Sequence, residues 1–97
     1  MNIGVCRIKL RLPENSSLKG KRQVVKSIIA RIQNKFNLSA AEVGNLDLWQ
    51  VATIGVAVVS NDQRYSDEVL NKVVDFVGNS HVDADIIDYN IEIIPIS

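Results

Sequence analysis

Nine of the eleven lysines and arginines of this chain lie in its first 35 residues: Arg7, Lys9, Arg11, Lys19, Lys21, Arg22, Lys26, Arg31 and Lys35, opposed there by Glu14 alone. Residues 36–97 hold ten carboxylates against Arg64 and Lys72, so a formal net charge of zero conceals two segments of opposite sign. Asymmetry of this size points to contact with nucleic acid or a membrane. The competing reading is a fold in which the two segments neutralise each other. Within the basic segment, Lys19, Lys21 and Arg22 follow Ser16 and Ser17 at what reads as the start of a helix. The positive end of the helix dipole makes added cations unfavourable there, so helix stability does not ask for them. Free N–H groups, two hydroxyls and three cations together suit a phosphate or another anion. A merely solvated basic face is the alternative.

Other chemistry is sparse. Cys6 is the only cysteine, which excludes an internal disulfide and a thiolate metal cluster within one chain. His81 is the only histidine, with no Asp or Ser spaced around it as a catalytic triad, and there is no Walker or GxGxxG phosphate loop. Glu42 and Asp47 would make a general acid–base pair only if folding brought them together. Trp49, at the start of an apolar run, has three readings: core, interface anchor or base-stacking platform. The expectation is a non-enzymatic protein with no metal and no cofactor. The run Ile54 to Val59 is far too short to span a bilayer, and Met1-Asn2-Ile3-Gly4 lacks the regions of a signal peptide, so the expected location is the cytoplasm.

The elements that must position these residues follow from periodicity. Between Ile3 and Leu12, Gly4, Cys6, Ile8, Leu10 and Leu12 alternate with Ile3, Val5, Arg7, Lys9 and Arg11, the pattern of a half-buried strand. After Pro13 and the turn-and-cap run Glu14-Asn15-Ser16-Ser17, the residues Leu18, Val25, Ile28, Ile29, Ile32 and Phe36 line one face of a helix from Leu18 to Phe36. A capping box would place Glu or Gln three residues after Ser17, and Gly20 stands there instead. A short strand near Leu38 to Val43, a Gly44-Asn45 turn and an apolar strand from Trp49 to Val59 follow, the last suited to cover on both faces. A second helix spans about Gln63 to Val77, stopped by Gly78-Asn79, and a last strand runs from Ile87 to Ile93 after a polar loop at Ser80-His81-Val82-Asp83.

The order βαββαβ in 97 residues, 46% of them apolar, predicts one α+β domain over residues 1–97. The expected architecture is a ferredoxin-like sandwich: a four-stranded antiparallel sheet with two helices on one face. In the usual order the first and last strands are neighbours, so Arg7, Lys9 and Arg11 should share the open face with Asp88 and Glu92. Cross-strand charge pairing and ligand contact both remain readings of that basic stripe.

The run Ser17-Leu18-Lys19-Gly20-Lys21-Arg22, then Val25-Lys26-Ser27, Phe36-Asn37-Leu38-Ser39, Ala41-Glu42-Val43, Asp47-Leu48-Trp49-Gln50 and Gly55-Val56-Ala57-Val58-Val59-Ser60 together resemble the YlxP-like family of small bacterial proteins over nearly the whole chain. That family has a ferredoxin-like fold and no defined function, and its genes tend to lie among those for translation initiation and ribosome maturation. The resemblance implies a ribosome- or RNA-linked role and carries over no active site. The expected function is therefore an RNA-binding or ribosome-associated protein. It would contact phosphates of ribosomal RNA or a ribosomal subunit through Lys19, Lys21, Arg22 and Lys26, supported by Arg7, Lys9 and Arg11. The alternative is a protein-interaction module or homodimeric adaptor acting through the open sheet face or Trp49.

Overall fold

The computed structural model describes residues 1–80 and 83–97. His81 therefore lies outside the described residues. The chain forms β1 (Asn2–Arg11), α1 (Leu18–Phe36), β2 (Ser39–Gly44), β3 (Val51–Ser60), α2 (Gln63–Ser80) and β4 (Asp85–Pro95). One antiparallel sheet has the order β2-β3-β1-β4, and the two helices cover one of its faces, which is the ferredoxin-like sandwich expected from the sequence.

The core sits between sheet and helices because β1 sends every second residue inward. Cys6, Ile8, Leu10 and Leu12 are buried against Val25, Ile28 and Ile32 of α1 and Val69, Leu70, Val73 and Val77 of α2, with Ala52, Ile54, Val56 and Val58 from β3. Ser17 caps α1 as read from the sequence, its hydroxyl accepting from the Gly20 N–H at 3.0 Å. Asn37 ends the helix in the left-handed region, φ 54°, and its N–H returns to Gln33 O. A short polar side chain tolerates that conformation better than most.

Three boundaries differ from expectation. Helix α2 runs through Gly78 and Asn79 to Ser80. Gly78 does not take a positive φ, so it is an ordinary helical residue there, and tertiary packing outweighs a propensity penalty of about 1 kcal/mol. Strand β3 begins at Val51 because Trp49 and Gln50 belong to the preceding loop. It is central in the sheet, yet only its inner face is covered by helices, and Val59 on the other face is 64% exposed. Strand β4 is longer than its alternating core and is kinked by a register shift opposite Lys9 and Leu10.

Gly4 shows how closely α2 approaches the sheet. A Cβ there would stand 2.9 Å from Leu70 Cδ1, 3.1 Å from Val58 Cγ1 and 3.2 Å from the Ser66 Cβ. Gly4→Ala is expected to destabilise the fold by about 1 to 3 kcal/mol through overpacking, measured as a drop in the urea midpoint with unchanged slope. An unchanged midpoint would mean that α2 can move away from β1 at no cost.

Candidate functional site

The corner where α1 begins collects most of the polar chemistry outside the core. Asn15, two residues before the cap, donates from Nδ2 to Ser17 O at 2.6 Å and to Trp49 O at 2.6 Å. It therefore ties the helix start to the β2–β3 loop. Gly20 leaves the space that Asn15 Oδ1 occupies, since a Cβ at position 20 would overlap that atom. The missing capping box is thus a packing solution. From the other side, Gln50 Nε2 donates to Pro13 O at 3.1 Å and Asn15 O at 3.2 Å, and Leu12 N–H donates to Gln50 O.

Beneath this loop lies Lys21, 0% exposed. Its ammonium donates to Asn45 O at 2.5 Å and Val51 O at 3.0 Å, with Leu46 O at 3.4 Å, and it forms an ion pair with Glu42 Oε2 at 3.0 Å. That buried carboxylate oxygen has no hydrogen-bond partner of its own and rests against this charge. Asn45 turns the chain with φ 61°, and the Thr53 hydroxyl donates to its Oδ1 at 2.6 Å. With its carbonyls held from below, the loop turns Leu46, Leu48 and Trp49 outward, each at least half exposed.

Lys21 is therefore not a phosphate-contacting residue, contrary to the sequence expectation. Its charge is consumed by Glu42 and three carbonyls, and no solvent reaches it. The same pair removes the reading of Glu42 and Asp47 as paired carboxylates, because Glu42 turns inward and Asp47 is exposed in the loop. Trp49 is 55% exposed, which removes its core reading.

Lys19, Arg22 and Lys26 are exposed. Their spacing of three and four residues sets them along one flank of α1. No carboxylate occurs anywhere in that helix. Arg7, Lys9 and Arg11 are exposed on the opposite layer, the open sheet face, where their register partners on β4 are Asn90, Asp88 and Asp85. The predicted neighbourhood of β1 cations and β4 acids is present. The two groups of cations do not form one surface, because the sheet lies between them.

Cys6 faces inward, and burial pushes its thiol up to about 11. A raised thiol pKa favours the neutral folded form, so its contribution to stability is complete below the unfolded thiol pKa near 8.5 and is lost as pH rises towards 11. At pH 8 Cys6 should react with Ellman's reagent only as fast as the protein opens. Rapid labelling of the native protein would contradict its burial.

Among the described residues no group of His, Cys, Asp and Glu is arranged to hold a metal, and no helix is long and apolar enough to cross a membrane. Fold and site thus define a ferredoxin-like α+β domain with a hydrogen-bonded, solvent-facing loop beside a basic helix. The chain belongs to the family of proteins of unknown function DUF503, which it matches over residues 3–91. It is similar to the uncharacterized protein YlxP of Bacillus subtilis (strain 168), 39% identical over 75 residues that cover 77% of this chain and 82% of the relative. The family read from the residue blocks is the one found.

The sequence did not single out Asn15, Gln50, Leu46 and Leu48, and it missed the role of Glu42. A signal for Lys21 was present: it falls four residues before Val25 and so in line with Val25, Ile28 and Ile32, the buried stripe of the helix.

Proposed function

We propose that this protein is a non-enzymatic, cytoplasmic RNA-binding protein that associates with ribosomal subunits. It contacts RNA through Lys19, Arg22 and Lys26 of α1 and the adjoining Trp49. The observation that carries the reading is that exposed cations on a helix without carboxylates stand next to an exposed tryptophan, the helix start and Trp49 O being joined by the Asn15 side chain. Three cations on one flank can follow a phosphate backbone, and an exposed indole offers a face on which a base stacks, worth about 1 to 3 kcal/mol. The gene neighbourhood implied by the family resemblance supports the ribosome as the source of that RNA.

Arg7, Lys9 and Arg11 are left out of this interface. They lie on the other layer beside Asp85 and Asp88, which would repel a polyanion.

Co-sedimentation of the tagged protein with purified ribosomal subunits across a salt series tests the reading. Binding should be present at low salt and fall steeply as salt rises. Protein that stays in the supernatant at low salt would remove the proposal.

A further inference from the structure

The open sheet face is built as a ridge beside a trough. On β1, Ile3, Val5, Arg7 and Lys9 project from it, and their register partners on β3 are Val59, Ala57, Gly55 and Thr53. Val5 and Arg7 thus stand beside smaller residues, while Thr53, the partner of Lys9, is itself buried under Asn45. The trough continues over Ala41 of β2 as an open groove of about 550 Å³, walled by Val5, Arg7 and Val43. At the end of the face, Val59 and Ile94 are exposed apolar side chains.

We infer that this face binds a second copy of the same chain. A two-fold axis parallel to the strands, running between β1 and β3, carries each residue onto the register partner of its counterpart. Val5 of one copy then rests over Ala57 of the other, and Arg7 enters the groove beside Gly55, which Val43 of β2 partly covers. The ridge of each copy fills the trough of the other, the self-complementarity that an isologous contact requires. Aligned packing of two sheets about 10 Å apart is a standard arrangement.

Charge and area agree with this occupant. The face carries Arg7, Lys9 and Arg11 on β1 beside Asp85, Asp88 and Glu92 on β4, so each copy balances its own cations and the face has no net formal charge. Four strands, with β1 and β3 ten residues long, project roughly 600 Å² at about 4.8 Å between strands and 3.3 Å per residue. Two such faces amount to about 1,200 Å² in total, the lower end of the range for a stable interface. The contact is independent of the proposed RNA surface, which lies on the helix layer and stays free in the dimer.

Sedimentation equilibrium over the micromolar range should show a dimer of the unmodified protein. Ala57→Arg fills the trough and is expected to weaken self-association roughly a hundredfold. Val59→Glu, at a more exposed position, serves if Ala57→Arg fails to fold. A second measurement treats Val5→Cys protein with a short bis-maleimide, the buried native Cys6 staying unreactive. Val5 stands close to the axis and should cross-link to its counterpart, whereas Ala30→Cys, exposed on the helix layer, should not. A monomer at every concentration, a dimer that survives both substitutions, or cross-linking of Val5→Cys no greater than that of Ala30→Cys would each overturn the inference.

Discussion

Lys21→Met is expected to destabilise the protein by about 3 to 5 kcal/mol, an effect far larger than that of replacing any of the exposed lysines around it. The substitution retains a side chain of similar length and removes the ammonium. Glu42 Oε2 then remains buried without its counter-charge, and the Asn45 and Val51 carbonyls lose their donor. An uncompensated buried charge explains the size of the loss, since a surface ion pair contributes about 1 kcal/mol or less. For a domain of this length the loss lowers the thermal midpoint by more than about 10 °C. Adding Glu42→Gln should restore part of the stability by removing the stranded charge. Trp49 is the only tryptophan, so its fluorescence anisotropy reports the loop directly and should fall in Lys21→Met as the loop loosens. A loss below about 1 kcal/mol would mean that the pair is hydrated in solution.

Lys19→Gln, Arg22→Gln and Lys26→Gln together should give the opposite separation of effects. These side chains are exposed, and Lys21 stays in place beneath the loop. Stability should be unchanged or slightly raised, because Lys19, in the first turn of α1, opposes the helix dipole by about 0.3 to 1 kcal/mol, while Arg22 and Lys26 lie beyond that turn. Binding to ribosomal subunits should weaken at every salt concentration. The slope of log affinity against log salt should become shallower by about 0.7 to 0.9 for each phosphate that the variant no longer neutralises, hence by about 2 to 3 for all three cations. An unchanged slope would show that this flank does not touch phosphate. A marked fall in thermal midpoint would instead make these cations part of the scaffold. Replacing Lys21 in the same variant would mix the two effects, because that cation belongs to the fold.

How much of the site was legible depends on the kind of interaction involved. Ser17 as helix cap was readable because capping is local in sequence. Trp49 was readable as a candidate by type, and its exposure was not, since an apolar run beginning at Trp49 looks the same whether the strand starts there or at Val51. Gly20 suggested a weak helix start, yet its cause is the Asn15 side chain, whose other partner, Trp49 O, lies 34 residues away. Lys21 illustrates the sharpest conflict between residue type and position. Its type says surface, while its alignment with Val25, Ile28 and Ile32 says core. A buried lysine is tolerable only with a carboxylate and carbonyls around it, and Glu42, Asn45 and Val51 come from other elements.

The order of elements, the inward face of β1, the strand neighbours and the family were all written in the chain, because each rests on periodicity or on blocks of adjacent residues. Gly4, Cys6, Ile8, Leu10 and Leu12 could face only one way once the strand was recognised. Which cations are available to a ligand emerged from the folded arrangement alone. Arg7, Lys9 and Arg11 are separated from Lys19, Arg22 and Lys26 by the thickness of the sheet, although all six lie within the first 26 residues. Lys21 is withdrawn from solvent altogether. Charge acts through distance and dielectric, and both are set by packing among residues far apart in the chain.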